Sequence, residues 1–145
     1  MSTGFVSLRQ KHWKRARSAF IEGVADLRKS DIPWGTQCIA ACLVGLAGIE
    51  LGQGHHERAG KLLGATERLI LAPYARLAWG FHLGATPTLI RKEYERMAAE
   101  VYKAMGDAAA AAVDGGRALS REEALQIGLE PTGDRSLVDV TGPAD

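Results

Sequence analysis

The stretch Cys42–Thr66, CLVGLAGIELGQGHHERAGKLLGAT, constrains the chain more than any other. Leu43, Leu46, Ala47 and Ile49 recur at helical spacing, with Cys42 and Leu51 close to the same face. Gly52-Gln53-Gly54 then supplies a turn, because glycine closes a helix end in the left-handed conformation at little steric cost. A second helical stripe resumes with Ala59, Leu62, Leu63 and Thr66. Both halves are dense in small residues: Gly45, Ala47 and Gly48, then Ala59, Gly60, Gly64 and Ala65. An interior glycine costs a helix about 1 kcal/mol against alanine, so this many imply a neighbour packed too close for side chains. A lone helical hairpin cannot bury its own apolar stripe, which makes the segment one unit of a stack.

Copies of the unit follow from that reading. The tetratricopeptide pattern places a small residue where the helices cross, a glycine turn, and Ala-x-x-x-Phe on the second helix. The central copy resembles it as Leu46-Ala47-x-x-Glu50, turn Gly54 and Ala59-x-x-x-Leu63. An upstream copy reads Thr3-Gly4-x-x-Ser7, turn Lys11 and Ala16-x-x-x-Phe20. A downstream copy reads Ala98-Ala99-x-x-Tyr102, turn Gly106 and Ala111-x-x-x-Gly115. The expected fold is all-α: tetratricopeptide-like antiparallel hairpins over residues 1–128, stacked as a short right-handed α-solenoid. The first copy begins so near Met1 that its opening helix is expected to be truncated. Missing upstream material or self-association through that end would account for it.

Along the chain, Trp13–Lys29 carries an apolar stripe of Trp13, Ala16, Phe20, Val24 and Leu27. Pro33 starts a helix from Trp34 to Leu51, followed by one from Glu57 to Leu71. Thr88–Met105 is the next, then an alanine-rich helix over Ala108–Val113, capped by Asp107 and closed by Gly115-Gly116. Ser120 with Glu123 three residues on is a capping box for a last short helix reaching about Gly128. Residues 129–145 are polar and punctuated by glycine and proline, and are expected to form a disordered tail. The segment Ala72–Pro87 is long for a connection and holds Tyr74, Trp79, Phe81 and His82, which pin it to the core or mark a contact surface.

Composition narrows function mainly by exclusion. A net charge of +1 over 145 residues argues against a dedicated nucleic-acid binder. No apolar run approaches the roughly 18 residues of a membrane span. With no signal-peptide pattern and two cysteines four residues apart, the chain reads as cytoplasmic. Gly54 to Gly60-Lys61 has five residues between its glycines where a phosphate loop needs four, and leucine in place of Ser/Thr. Cys38 and Cys42 share a face, but His55 lies roughly 19 Å or more away along the helix, so no closed metal site forms. Glu93, Glu95 and Glu100 fall on expected solvent faces, as does the basic run from Arg9 to Arg17. No catalytic set assembles, and neither a cofactor nor a metal is expected.

The segments IAACLVGLAGIELGQGHHERAGKLLGATE and KEYERMAAEVYKAMGDAAAAAVDGGRALSREEAL carry a further likeness. Cys42-Leu43, Gly45-Leu46-Ala47, Gly54, Glu57-Arg58-Ala59, Leu62-Leu63-Gly64-Ala65, Tyr94, Gly106 and Gly116-Arg117-Ala118-Leu119-Ser120-x-x-Glu123-Ala124 carry it. Over residues 8–127 the chain resembles the C-terminal tetratricopeptide-like region of large bacterial LuxR/MalT-type regulators and their adenylate-cyclase-linked relatives. That resemblance implies a non-catalytic scaffold or signal-input module. The ATPase and helix-turn-helix domains of such regulators have no counterpart here, so their activities do not carry over. The expected partner is a protein or peptide segment, or a second copy of the chain, met by Arg9, Gln37, Glu50, Arg91, Glu95 and Tyr102 on an exposed first-helix surface. The alternative is a small-ligand sensor lined by Tyr74, Trp79, Phe81 and His82.

Overall fold

The computed structural model describes residues 2–29, 35–71 and 86–130, with side chains placed over 4–29, 39–67 and 91–130. All described secondary structure is helical: α1 (Ser2–Arg9), α2 (Trp13–Lys29), α3 (Gly35–Gly52), α4 (His56–Leu71), α5 (Thr86–Met105), α6 (Asp107–Arg117) and α7 (Arg121–Leu129). The expected segment 129–145 lies outside the described residues beyond Glu130, as do Tyr74, Trp79, Phe81 and His82.

α3 is the centre. Ile39 to Glu50 are buried without interruption, as suits a helix apolar on every side. It packs against α1, α2, α4, α5 and α7, and α4 packs in turn against α5, α6 and α7. Phe20, Leu43, Leu46, Ile49, Leu62, Leu63, Met97 and Leu125 are the core's largest fully buried apolar side chains, and Trp13 is the largest residue at its edge. Phe20 meets Phe5 edge-on, with ring centroids 5.1 Å apart.

The turns repeat. Only Lys11, Gly54 and Gly106 among the described residues have positive φ, and these are the three aligned turn positions. The first two turns share a hydrogen-bond pattern displaced by 43 residues. Gln10 N–H donates to Val6 O, Lys11 to Leu8, His12 to Ser7 and Ala16 to His12; Gln53 donates to Ile49, Gly54 to Leu51, His55 to Glu50 and Ala59 to His55. The bond spanning five residues, at 2.9 and 2.8 Å, is the Schellman closure of a helix C-terminus.

The third copy departs from the pattern. Gly106 alone joins α5 to α6, and each residue turns a helix face by about 100°. Ala109, Ala112, Val113 and Gly116 are therefore buried, while Ala111 and Gly115 face outward. Asp107 is the first residue of α6 and not its cap; Gly106 holds the cap position without a side-chain bond. Nor do Gly115-Gly116 end that helix, which runs to Arg117. They continue it because α4 crosses there at backbone contact. A Cβ on Gly116 would lie 2.0 Å from Lys61 O, and one on Gly64 2.1 Å from Val113 O. α5 likewise starts two residues earlier than expected, with Pro87 in its first turn. Across this crossing, the Tyr94 hydroxyl donates to Glu67 Oε2 (3.1 Å), which Arg117 Nε also reaches (3.0 Å). Burial and the Glu67 charge push the Tyr94 phenol above its ordinary value, so it stays a donor.

Candidate functional site

Two charged clusters stand out, on opposite sides of α3. The first is a groove of about 360 Å³ between α1, α3 and α5. Glycines on α3 shape it: a Cβ on Gly52 would lie 2.4 Å from Trp13 Cη2, and one on Gly48 2.7 Å from Leu8 Cδ2. Without those side chains, Leu8 and Trp13 settle against the α3 backbone and, with Leu51, make an apolar floor. Arg9, Lys11, Glu93, Arg96 and Glu100 form the rim.

Glu93 organises that rim. Its side chain is 8% exposed and takes Arg9 Nη2 on Oε1 (2.9 Å) and Arg96 Nη2 on Oε2 (2.8 Å). Arg96 Nη1 also reaches Glu100 Oε1 at 3.0 Å. Burial raises the Glu93 pKa, but hydrogen bonds and charge from Arg96 and Arg9 outweigh it and hold the carboxyl below its ordinary 4.5. A lowered folded pKa stabilises the fold above the unfolded value, and that contribution is lost as pH falls through the folded one. The stability gap between wild type and Glu93→Gln, from urea unfolding at a series of pH values, is therefore expected to be flat above about pH 5 and to narrow below it. A gap that widens on acidification would contradict the pairing.

The second cluster lies on the other side of α3. Glu50 on α3 has no exposed surface, and its carboxylate faces Arg17 Nη1 (3.4 Å), His55 Nδ1 (2.8 Å) and Arg58 Nε (3.4 Å). The two arginines extend to the end of α7. Arg17 Nη2 donates to Gly128 O (3.2 Å) and Glu130 O (2.5 Å); Arg58 Nη2 donates to Ile127 O (2.6 Å) and Glu130 O (3.3 Å). The corresponding positions of the first hairpin are Ser7 and His12. His12 Nδ1 has no hydrogen-bond partner among the described residues, because serine stands where the second hairpin has glutamate.

The expected surface residues divide accordingly. Arg9 lines the groove. Glu50 corrects the expectation of exposure: two arginines and a histidine converge on it, and a carboxylate so compensated can be buried. Arg91 and Glu95 pair with each other at 3.2 Å, largely in solvent, and Tyr102 is 45% exposed; none of the three lines the groove. The Gln37 side chain lies outside the described residues, as does that of Cys38. Glu93, expected on a solvent face, is instead buried between two arginines from different helices. Trp13, Lys11, Arg96 and Glu100 were not expected in a site. The spacing of Glu93, Arg96 and Glu100 does place them on one helix face, although the partner across the groove is invisible from that spacing.

Among the described residues no His/Cys/Asp/Glu group could hold a metal ion, and no helix is long and apolar enough to cross a membrane. No family model matches the chain, and neither a curated protein nor a solved structure is similar enough to match it.

Proposed function

We propose that the chain is a non-catalytic protein-interaction module, its tetratricopeptide-like hairpins stacked as a short right-handed α-solenoid, serving as a scaffold or signal-input part of a bacterial regulator. The observation that carries the reading is the groove between α1, α3 and α5, with its apolar floor and paired-charge rim. These are the first helices of successive hairpins, the surface on which stacked repeats take extended or helical segments. The recurrence of one turn geometry 43 residues along the chain supports the repeat architecture.

A displayed peptide library selected on the whole chain tests this. Enriched peptides are expected to carry an apolar anchor flanked by charges. Their affinity is expected to fall at least tenfold with Lys11→Glu or Glu100→Lys, both exposed. Peptides indifferent to both substitutions, or no enrichment, would remove the groove as the binding site.

A further inference from the structure

α7 lies where chain order alone would not put it. It follows α6 after Ala118–Ser120, yet its substantial packing is on α3 and α4. Its first turn reaches the end of α2 through Glu122 and Arg28 (3.0 Å), and its last turn reaches the start of α2 through Arg17. It therefore runs antiparallel to α2, and Arg58 at the start of α4 holds its C-terminal end from the other side. Of its nine residues only Ala124, Leu125 and Gly128 are buried. A helix this short has little stability of its own.

The mode of attachment is unusual in what it reads. The four bonds from Arg17 and Arg58 end on main-chain carbonyls of residues 127, 128 and 130. Every α-helix leaves such carbonyls unpaired at its C-terminus, where its dipole also attracts cations. Side-chain selectivity comes from the apolar contacts: Ala124, Leu125 and Gly128 are buried, and a Cβ on Gly128 would lie 2.9 Å from Leu46 Cδ1, so a larger residue fits there only if the Leu46 side chain shifts. Both arginines are aimed by Glu50 on α3, independently of α7.

We propose that the cleft between α2 and α4 is a receptor for a helix C-terminus of the pattern Ala-Leu-x-x-Gly, and that α7 is its exchangeable internal occupant, replaceable by the same helix from a second copy of the chain. The contacts specify a helix end, one leucine and two small residues, not a covalent connection to α6, and both arginines also face Glu50, which belongs to α3 and stays in place without α7.

The test uses the full chain and a fluorescein-labelled, C-terminally amidated peptide of residues 119–130. Leu125→Asp removes the one fully buried large apolar side chain of α7 and keeps Arg17, Arg58 and Glu50, so the peptide is expected to bind this variant, read by fluorescence anisotropy. Binding to wild type, whose cleft is filled, is expected to be at least tenfold weaker, and so is binding to Leu125→Asp combined with Arg58→Ala. A folded Leu125→Asp chain that fails to bind the peptide overturns the proposal. Should that variant not fold, native-state amide exchange on the wild-type chain decides the matter. Amides of α7 are expected to exchange at least a hundredfold faster than those of α3, through an opening insensitive to low denaturant. Exchange of α7 in step with α3 overturns the proposal equally.

Discussion

Gly116→Ala is expected to destabilise the protein by about 2 kcal/mol, although alanine is the better helix former. Propensity alone predicts a gain of about 1 kcal/mol. Against it stands the added Cβ, 2.0 Å from Lys61 O and 2.7 Å from Lys61 C. Both atoms are backbone, so no rotamer change relieves the clash and α4 must move away from α6. Overpacking of this kind costs about 3 kcal/mol or more when the neighbour cannot yield, which sets the net sign. Gly64→Ala, against Val113 O at 2.1 Å, is expected to cost a similar amount. The double variant is expected to cost less than the two together, because one separation of the helices relieves both contacts. Gly115 provides the control: a Cβ there would meet nothing within 4 Å, so Gly115→Ala should stabilise by about 0.5–1 kcal/mol. Urea midpoints at unchanged m-value measure all four. Equal effects at 115 and 116 would mean that α4 and α6 do not meet backbone to backbone.

Glu50→Ala carries the largest expected loss, about 3–5 kcal/mol, because it leaves two arginines beside a buried site without their shared carboxylate. Arg17 itself has a side chain only 7% exposed, so it cannot regain full hydration without movement of α7. The loss should appear first as exposure of α7 and only at higher denaturant as melting of α3. The contrasting variant is Arg28→Ala. Its pair with Glu122 is as short, at 3.0 Å, but the two side chains are 46% and 64% exposed, and exposed pairs are worth about 0–1 kcal/mol. If Glu50→Ala proves no more costly than Arg28→Ala, the convergence on Glu50 does not hold α7 in place.

The legible and illegible parts of this fold separate on physical grounds. Helix content and the three turns were readable because they are local. Apolar spacing marks the buried stripe, and glycine at 54 and 106 marks a left-handed turn, with Lys11 recovered only by the 43-residue offset. The capping box of Ser120 and Glu123 formed as its spacing implies, with bonds of 3.2 and 2.9 Å. Small residues were correctly read as a sign of close packing, but not which helices approach. Gly115-Gly116 resembles a stop signal, and only the crossing with α4 explains why the helix continues through it. The site was less legible because charge meaning is set by partners far along the chain. Glu50 and Glu93 look like ordinary surface carboxylates until Arg17, Arg58 and Arg9 arrive from other helices, Arg9 and Glu93 being 84 residues apart.

The position of α7 also bears on the order of assembly. Its bonds to Arg17 close chain separations of 111 and 113 residues, whereas the hairpin turns close over five residues or fewer. Long closures have the higher entropic barrier and form late. On the ribosome, α2 to α4 can collapse before α7 is available to dock. Attachment of α7 is then a late docking reaction among these helices, set by how quickly one tethered nine-residue segment finds Arg17 and Arg58.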